Sequence, residues 1–261
     1  MYCFNKNMNT SVARYLVSLS QCSESMVDTS VMSKGIIRVH VDNNMKKMKV
    51  QINKDNIKYI YDYGEYNVFP LQLGNGKYLI SLYEYVKDRS YRLFKQESVT
   101  LKINDQNDVY LQSIQLIHWD YRMQAIKTAK HITRYKKTDL DKTKEIYKYI
   151  ISKISYDEEK ADTVKAGYIP MIDQVLKEGR GICYDYSVLF AAMLRSIGIP
   201  TKLLMGYCNN SNIYHAWNEV YIKEEKRWII LDTTQDAFNK RIISIFFNAK
   251  DDENYKVDKT Y

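Results

Sequence analysis

Between residues 35 and 103 apolar side chains recur at every second position, and beyond residue 108 they recur at every third and fourth. No single layer of secondary structure satisfies both periods, so the chain is expected to divide. In the first part Ile37, Val39 and Val41, then Met48, Val50 and Ile52, then Ile57, Tyr59 and Tyr61 alternate with polar residues, the pattern of half-buried strands. The series runs on through 68–73, breaks at Gly74-Asn75-Gly76, resumes over 77–85, turns at Lys87-Asp88-Arg89-Ser90 and continues through 91–96 and 98–103. Short strands punctuated by turns predict a small antiparallel β-sandwich over residues 34–107. Residues 1–33, polar and rich in Ser, Asn and Met, read as a poorly ordered lead-in with a short helix around 12–19.

Residues 108–261 form the second expected domain. Helices are predicted over 110–135 and after Thr138, where Thr138-x-x-Asp141 has the form of a capping box and Tyr147, Ile150, Ile151 and Ile154 share a face. Pro170 marks the first turn of a short helix carrying Ile172, Val175 and Leu176, which Gly179 closes. A further helix starts near Cys183, with Val188, Leu189, Ala192, Met193 and Ile197 at helical spacing, and stops at Gly198 and Pro200. Strands are predicted over 202–208, 214–222 and 227–232, the last two joined by the turn Lys223-Glu224-Glu225-Lys226.

Cys183 is the residue with the clearest chemistry. A thiol at a helix N-terminus sits at the positive end of the backbone dipole, which favours the thiolate nucleophile. A cysteine beside an apolar helix is, taken alone, more often core. Its chemistry needs a base and an orienting acceptor for that base, and His215 and Asp232 suit those roles. If Ile222 faces Arg227 across the hairpin, position 217 faces 232, which leaves His215 and Asp232 diagonal neighbours on one face with Cβ atoms roughly 7–8 Å apart or less. Asp185 reads as a helix-start residue, and Trp217 and Trp228 read as core.

The segments GRGICYDYSVLFAAMLRSIGIPTKLLMGY, YHAWNEVYI and RWIILDTT together resemble the bacterial transglutaminase-like superfamily, over about residues 140–236. The family motif of a Cys at a helix start, a His before Ala-Trp and an Asp before Thr falls on Cys183, His215 and Asp232. The resemblance implies an α+β fold, a papain-like transglutaminase core with its nucleophile helix on an antiparallel sheet, here preceded by the small all-β sandwich. It also implies acyl transfer on protein or peptide carboxamides through a thioester on Cys183, ending in cross-linking, deamidation or amide hydrolysis. Cys183 N–H is the natural first oxyanion donor, with Gln174, Tyr168 and Tyr156 as candidates for the second. The alternative is a catalytically silent module that keeps the fold for binding or scaffolding.

Composition narrows the partners. The 39 basic residues are interspersed with 31 acidic ones for a net charge of +8, without a nucleic-acid motif, so nucleic acid is not expected, and the protein or peptide substrate is what the resemblance implies. Four cysteines without a CxxC pair, four histidines and no dense carboxylate loop suggest free thiols, no metal and no cofactor. No apolar run reaches membrane-spanning length and no signal peptide is evident, which points to the cytoplasm by default, or to the cell envelope or exterior had a leader been removed. Oligomeric state is not legible in the sequence.

Overall fold

The computed structural model describes residues 25–41, 47–208, 213–238, 250 and 252–261. The expected helix at 12–19 lies outside them. Strands β1 (Val27–Asp28), β2 (Ile36–Val39) and β5 (Val68–Pro70) form one sheet in the order β1-β2-β5. Strands β3 (Met48–Lys54), β4 (Ile57–Asp62), β6 (Gly76–Lys87) and β7 (Ser90–Leu101) form a second in the order β4-β3-β6-β7. Every pairing in both is antiparallel. Ile37, Val39 and Phe69 of the first sheet share one buried cluster with Val50, Ile80 and Leu82 of the second, so the sheets pack face to face. Positive φ at Asp55 and Asn56, and at Asp88 and Arg89, gives the two-residue hairpin turns a twist that matches their strands.

Two expectations for this region are corrected. The strands expected at 91–96 and 98–103 are one strand, because Glu97 stays in the ladder opposite Ile80. Its carboxylate also accepts the Met26 N–H at 2.9 Å, which ties down the chain from residue 25. Residues 25–33, expected to be poorly ordered, therefore include β1 and a 3₁₀ turn at Met32–Lys34, with Met26 and Val27 buried.

The rest of the chain builds helices around a second sheet system. The helices are α1 (Gln124–Thr133), α2 (Asp139–Lys153), α3 (Glu158–Thr163), α4 (Ile172–Glu178), α5 (Cys183–Ser196) and α6 (Thr233–Phe238). Strands β10 (Thr201–Cys208), β11 (Tyr214–Ile222), β12 (Arg227–Leu231) and β13 (Tyr255–Thr260) form a sheet in the order β12-β11-β10-β13. A short parallel pair, β8 (Ser155–Tyr156) with β9 (Arg180–Gly181), lies just ahead of α5. From Asp185 to Arg195 every residue of α5 is buried, as in a helix enclosed on all sides. Its apolar residues share a core with Ile126 of α1, Ile150 of α2, Ile172 of α4 and Ala216 and Val220 of β11. The fold is α+β, with a strand-rich N-terminal region ahead of a helix-on-antiparallel-sheet core.

The helix expected over 110–135 is confined to α1, after a 3₁₀ turn at Gln106–Leu111. Tertiary partners take the intervening backbone: the Gln115 N–H donates to Val68 O at 2.9 Å, and Ile114 bridges Ile117. Pro170 precedes α4 rather than occupying its first turn, since Met171 is the N-cap. Thr138 does cap α2, accepting the Asp141 N–H at 3.0 Å, while Glu224 supplies the acceptor for Asp139 N–H.

Arg195, 2% exposed near the end of α5, donates to the carbonyls of Thr201 at 2.8 Å, Gln112 at 2.8 Å and Tyr261 at 3.0 Å. Burial lowers its pKa to about 9. Arg195→Met should leave these buried carbonyls without their charged donor and lower stability by about 3 kcal/mol, seen as a lower urea midpoint at unchanged slope.

Candidate active site

Cys183 is placed by a sequence of local constraints. Gly179 ends α4 in the left-handed region at φ 64°, where a β-carbon is unfavourable. The chain then runs through β9, pairing Tyr156 with Gly181, and turns into α5 at Ile182. Asp185 reaches back to accept the Ile182 N–H at 2.8 Å, the helix-start role read from its position. Its oxygens also take the Tyr168 hydroxyl at 2.5 Å and the Lys160 ammonium at 2.8 Å, so this fully buried carboxylate is paired on both sides. A β-carbon on Gly181 would lie 2.6 Å from Asp185 Cβ, so the close approach requires glycine. Cys183 becomes the first residue of α5, half-buried, with no intrahelical acceptor for its N–H.

The hairpin delivers the other two residues in the expected register. Ile222 pairs with Arg227 and Asn218 with Leu231 without a bulge, which aligns 217 with 232. His215 Nε2 lies 2.8 Å from Asp232 Oδ2. Asp232 follows the last residue of β12 and caps α6, its Oδ1 accepting the Gln235 N–H at 2.9 Å. The Tyr255 hydroxyl donates to Oδ2 at 3.1 Å. Trp217, fully buried, stacks beside His215 with ring centres 6.1 Å apart and planes 18° off parallel.

Electrostatics link the two halves of the site. Burial opposes a charged His215 ring, but hydrogen bonds to Asp232 and Cys183, and the charges of both, outweigh it and raise the pKa to about 10. With Nε2 committed to Asp232, Nδ1 is the nitrogen left for Cys183. Cys183, His215 and Asp232, drawn from a helix start, a strand and a strand end, thus meet in one cluster.

The three candidates for a second oxyanion donor separate. Tyr168 is engaged with Asp185, and the exposed Gln174 donates to Glu178 at 2.7 Å. Tyr156 lies close enough to Cys183 that the thiol adds to burial in raising its pKa, and its ring packs on Phe238 at 4.7 Å. Sequence reasoning missed Tyr255 altogether. Its one signal was the alternation of Tyr255, Val257 and Lys259 in the final residues. Cys183 and Cys208 are both free thiols. No helix among the described residues is long and apolar enough to cross a membrane.

Residues 126–233, which contain Cys183, His215 and the end of the hairpin at Asp232, match the transglutaminase-like superfamily. The chain carries a transglutaminase-like domain. An alignment over 170 positions, covering 57% of the chain, is 27% identical to the uncharacterised Bacillus subtilis protein YebA and covers 22% of it. A segment of 72 residues, 28% of the chain, is 31% identical to the peptide-N(4)-(N-acetyl-beta-glucosaminyl)asparagine amidase of Yarrowia lipolytica and covers 19% of it. The chain therefore spans about a fifth of the length of these curated relatives. Among solved structures, a Cytophaga hutchinsonii chain described as a cysteine protease aligns at 16% identity and a TM-score of 0.44, over 77% of this chain and 70% of that one. In this domain the helix start and the hairpin are the elements that bear the cluster.

The raised His215 pKa has a definite sign in stability. Protonation is favoured in the fold, so the contribution is complete below the ordinary value of 6.5 and is lost as pH rises through about 10. Asp232→Asn removes the charge that raises it. The stability of the native sequence relative to this variant should fall between about pH 6.5 and 10, measured by denaturant unfolding across that range.

Proposed function

We propose that this transglutaminase-like domain is a cysteine acyltransferase or amide hydrolase acting on protein or peptide carboxamides, with Cys183, His215 and Asp232 as its catalytic residues. The observation that carries the reading is the placement of His215 between two partners, Asp232 at 2.8 Å and the Cys183 thiol. His215, kept charged by its raised pKa, holds the proton given up by the thiol, and the sulfur attacks the amide carbonyl. His215 then returns that proton to the departing amine, leaving a thioester on Cys183. In the second half a water or a lysine amine loses its proton to His215, attacks the thioester and releases the thiolate. Asp232 holds the ring's orientation and offsets its positive charge. The Yarrowia lipolytica relative is named as an amidase, which supports an amide carbonyl as the group attacked.

The negative oxygen of the tetrahedral intermediate needs donors. The Cys183 N–H, free of an intrahelical partner at the start of α5, supplies the first. Tyr156 supplies the second: its raised pKa keeps the phenol protonated beside the thiol, and β8 fixes its backbone against Gly181. None of these steps calls for a metal or a cofactor.

Cys183→Ala should abolish both amine incorporation and amide release while leaving the far-UV and near-UV circular dichroism unchanged. Asp232→Asn should lower kcat by about 10²–10⁴-fold, since the ring loses its orienting partner. Tyr156→Phe should lower kcat by about 10²-fold with little change in KM, the pattern of an interaction made only in the transition state. Full activity in the Cys183→Ala protein would overturn the reading. So would an inert Cys183 towards iodoacetamide at pH 6–7, which would instead favour the silent binding module.

A further inference from the structure

A cavity of about 580 Å³ opens between the loop after β4, the segment that precedes α1 and the start of α4. Its floor is apolar, formed by Tyr66, Met123, Pro170, Met171 and Ile172. Tyr66 is held in place by its hydroxyl, 3.1 Å from Ser113 Oγ, and by its ring against His118 at 4.1 Å. Gln115, buried behind, donates to Asp62 O at 2.7 Å and fixes the loop that carries Glu65.

Its charge runs against that of the molecule. The chain has a net charge of +8, yet this lining holds Asp62, Glu65 and Asp173 and no lysine or arginine. Asp173 is occupied by the N–H groups of Gln124 and Ala125, each at 2.8 Å, and Asp62 is paired with Lys49 at 2.8 Å. Glu65 forms no ion pair among the described residues and stands exposed at the rim. Burial lowers the His118 pKa, so this ring adds no positive charge near neutral pH. An apolar slot with one unpaired carboxylate at its edge matches a side chain that is an alkyl stem with a cationic head.

The hollow also continues in a useful direction. Met171 and Gln174 line a second, smaller cavity that reaches Tyr168 and Lys160, the pair that holds Asp185 two positions beyond Cys183. An extended polypeptide lying along this trough would pass from Glu65 towards the start of α5.

We propose that the larger cavity receives a lysine side chain of a polypeptide, its stem against Pro170 and Met171 and its ammonium at Glu65. That this polypeptide is the substrate, docked some residues away from the reacting amide, rests on the acyl-transfer reading; the binding itself does not. The test uses the full chain carrying Cys183→Ala, so that turnover cannot intervene, and follows the His118 ring resonances by NMR during titration. The probe is an acetylated alanyl-lysyl-alanine amide, compared with its norleucine counterpart and with n-pentylamine.

The lysine peptide should shift the His118 resonances saturably, the norleucine peptide and n-pentylamine should each bind at least about tenfold more weakly, and Glu65→Gln should erase the preference for lysine. The absence of a saturable shift, equal binding of the norleucine peptide, or an unchanged preference in Glu65→Gln would overturn the lysine assignment. Equal binding of n-pentylamine would overturn the polypeptide. Loss of enzymatic activity leaves each of these readouts intact, so failure of the catalytic reading and failure of this one are distinguishable.

Discussion

The carboxylate of Asp232 is the contact on which the rest of the site depends. It is fully buried and accepts from three directions: the His215 ring, the Gln235 backbone N–H and the Tyr255 hydroxyl. Those donors belong to β11, α6 and β13, so one group joins the hairpin to the helix that follows it and to the last strand of the sheet. A buried carboxylate without such partners would be costly, and with them it becomes a fixed point. The orientation of His215 is then a consequence of how the chain closes rather than of a flexible side chain finding its place.

The other half of the site is held by analogous means from the opposite side. Asp185 is as buried as Asp232 and is likewise saturated, by the Ile182 N–H, the Tyr168 hydroxyl and the Lys160 ammonium. It sets where α5 begins, and therefore where the sulfur of Cys183 lies. Because α5 is enclosed along its length, it has little freedom to slide, and Asn218 ties it to the hairpin by donating to Ser187 O at 3.1 Å. Two buried carboxylates thus fix the proposed nucleophile and its proposed base independently, and the interlocked core between them sets their separation.

What the sequence disclosed follows the range of the interactions involved. The hairpin of β11 and β12 was legible to within a residue because its strands alternate cleanly and a four-residue turn sets their pairing. That register alone brings His215 to Asp232. Strand β13 was not legible, since its partner β10 lies far back in the chain and its exposed pattern carries little apolar signal. Tyr255 was lost with it. The segment before α1 misled in the other direction: its spacing suits a helix, but its backbone is claimed by the sandwich, through the Gln115 N–H on Val68 O, a contact that no local period encodes. Tyr156 was visible as one of three candidates for the second oxyanion donor, and it took the pairing of β8 with β9 to set it apart from Gln174 and Tyr168.

The charge state of His215 illustrates why these long-range contacts govern the candidate site. The side chain is only 16% exposed, and burial by itself would strip its proton. Asp232 and Cys183 together reverse that outcome, and Gln235 and Tyr255 hold Asp232 in place. Tyr255 stays a donor because burial and the adjacent carboxylate both push its pKa up. The proposed base is therefore linked to a strand some forty residues further along the chain, through the Tyr255 hydroxyl on Asp232. Tyr255 and His215 share the Asp232 carboxylate, which makes β13 part of the support of the candidate site.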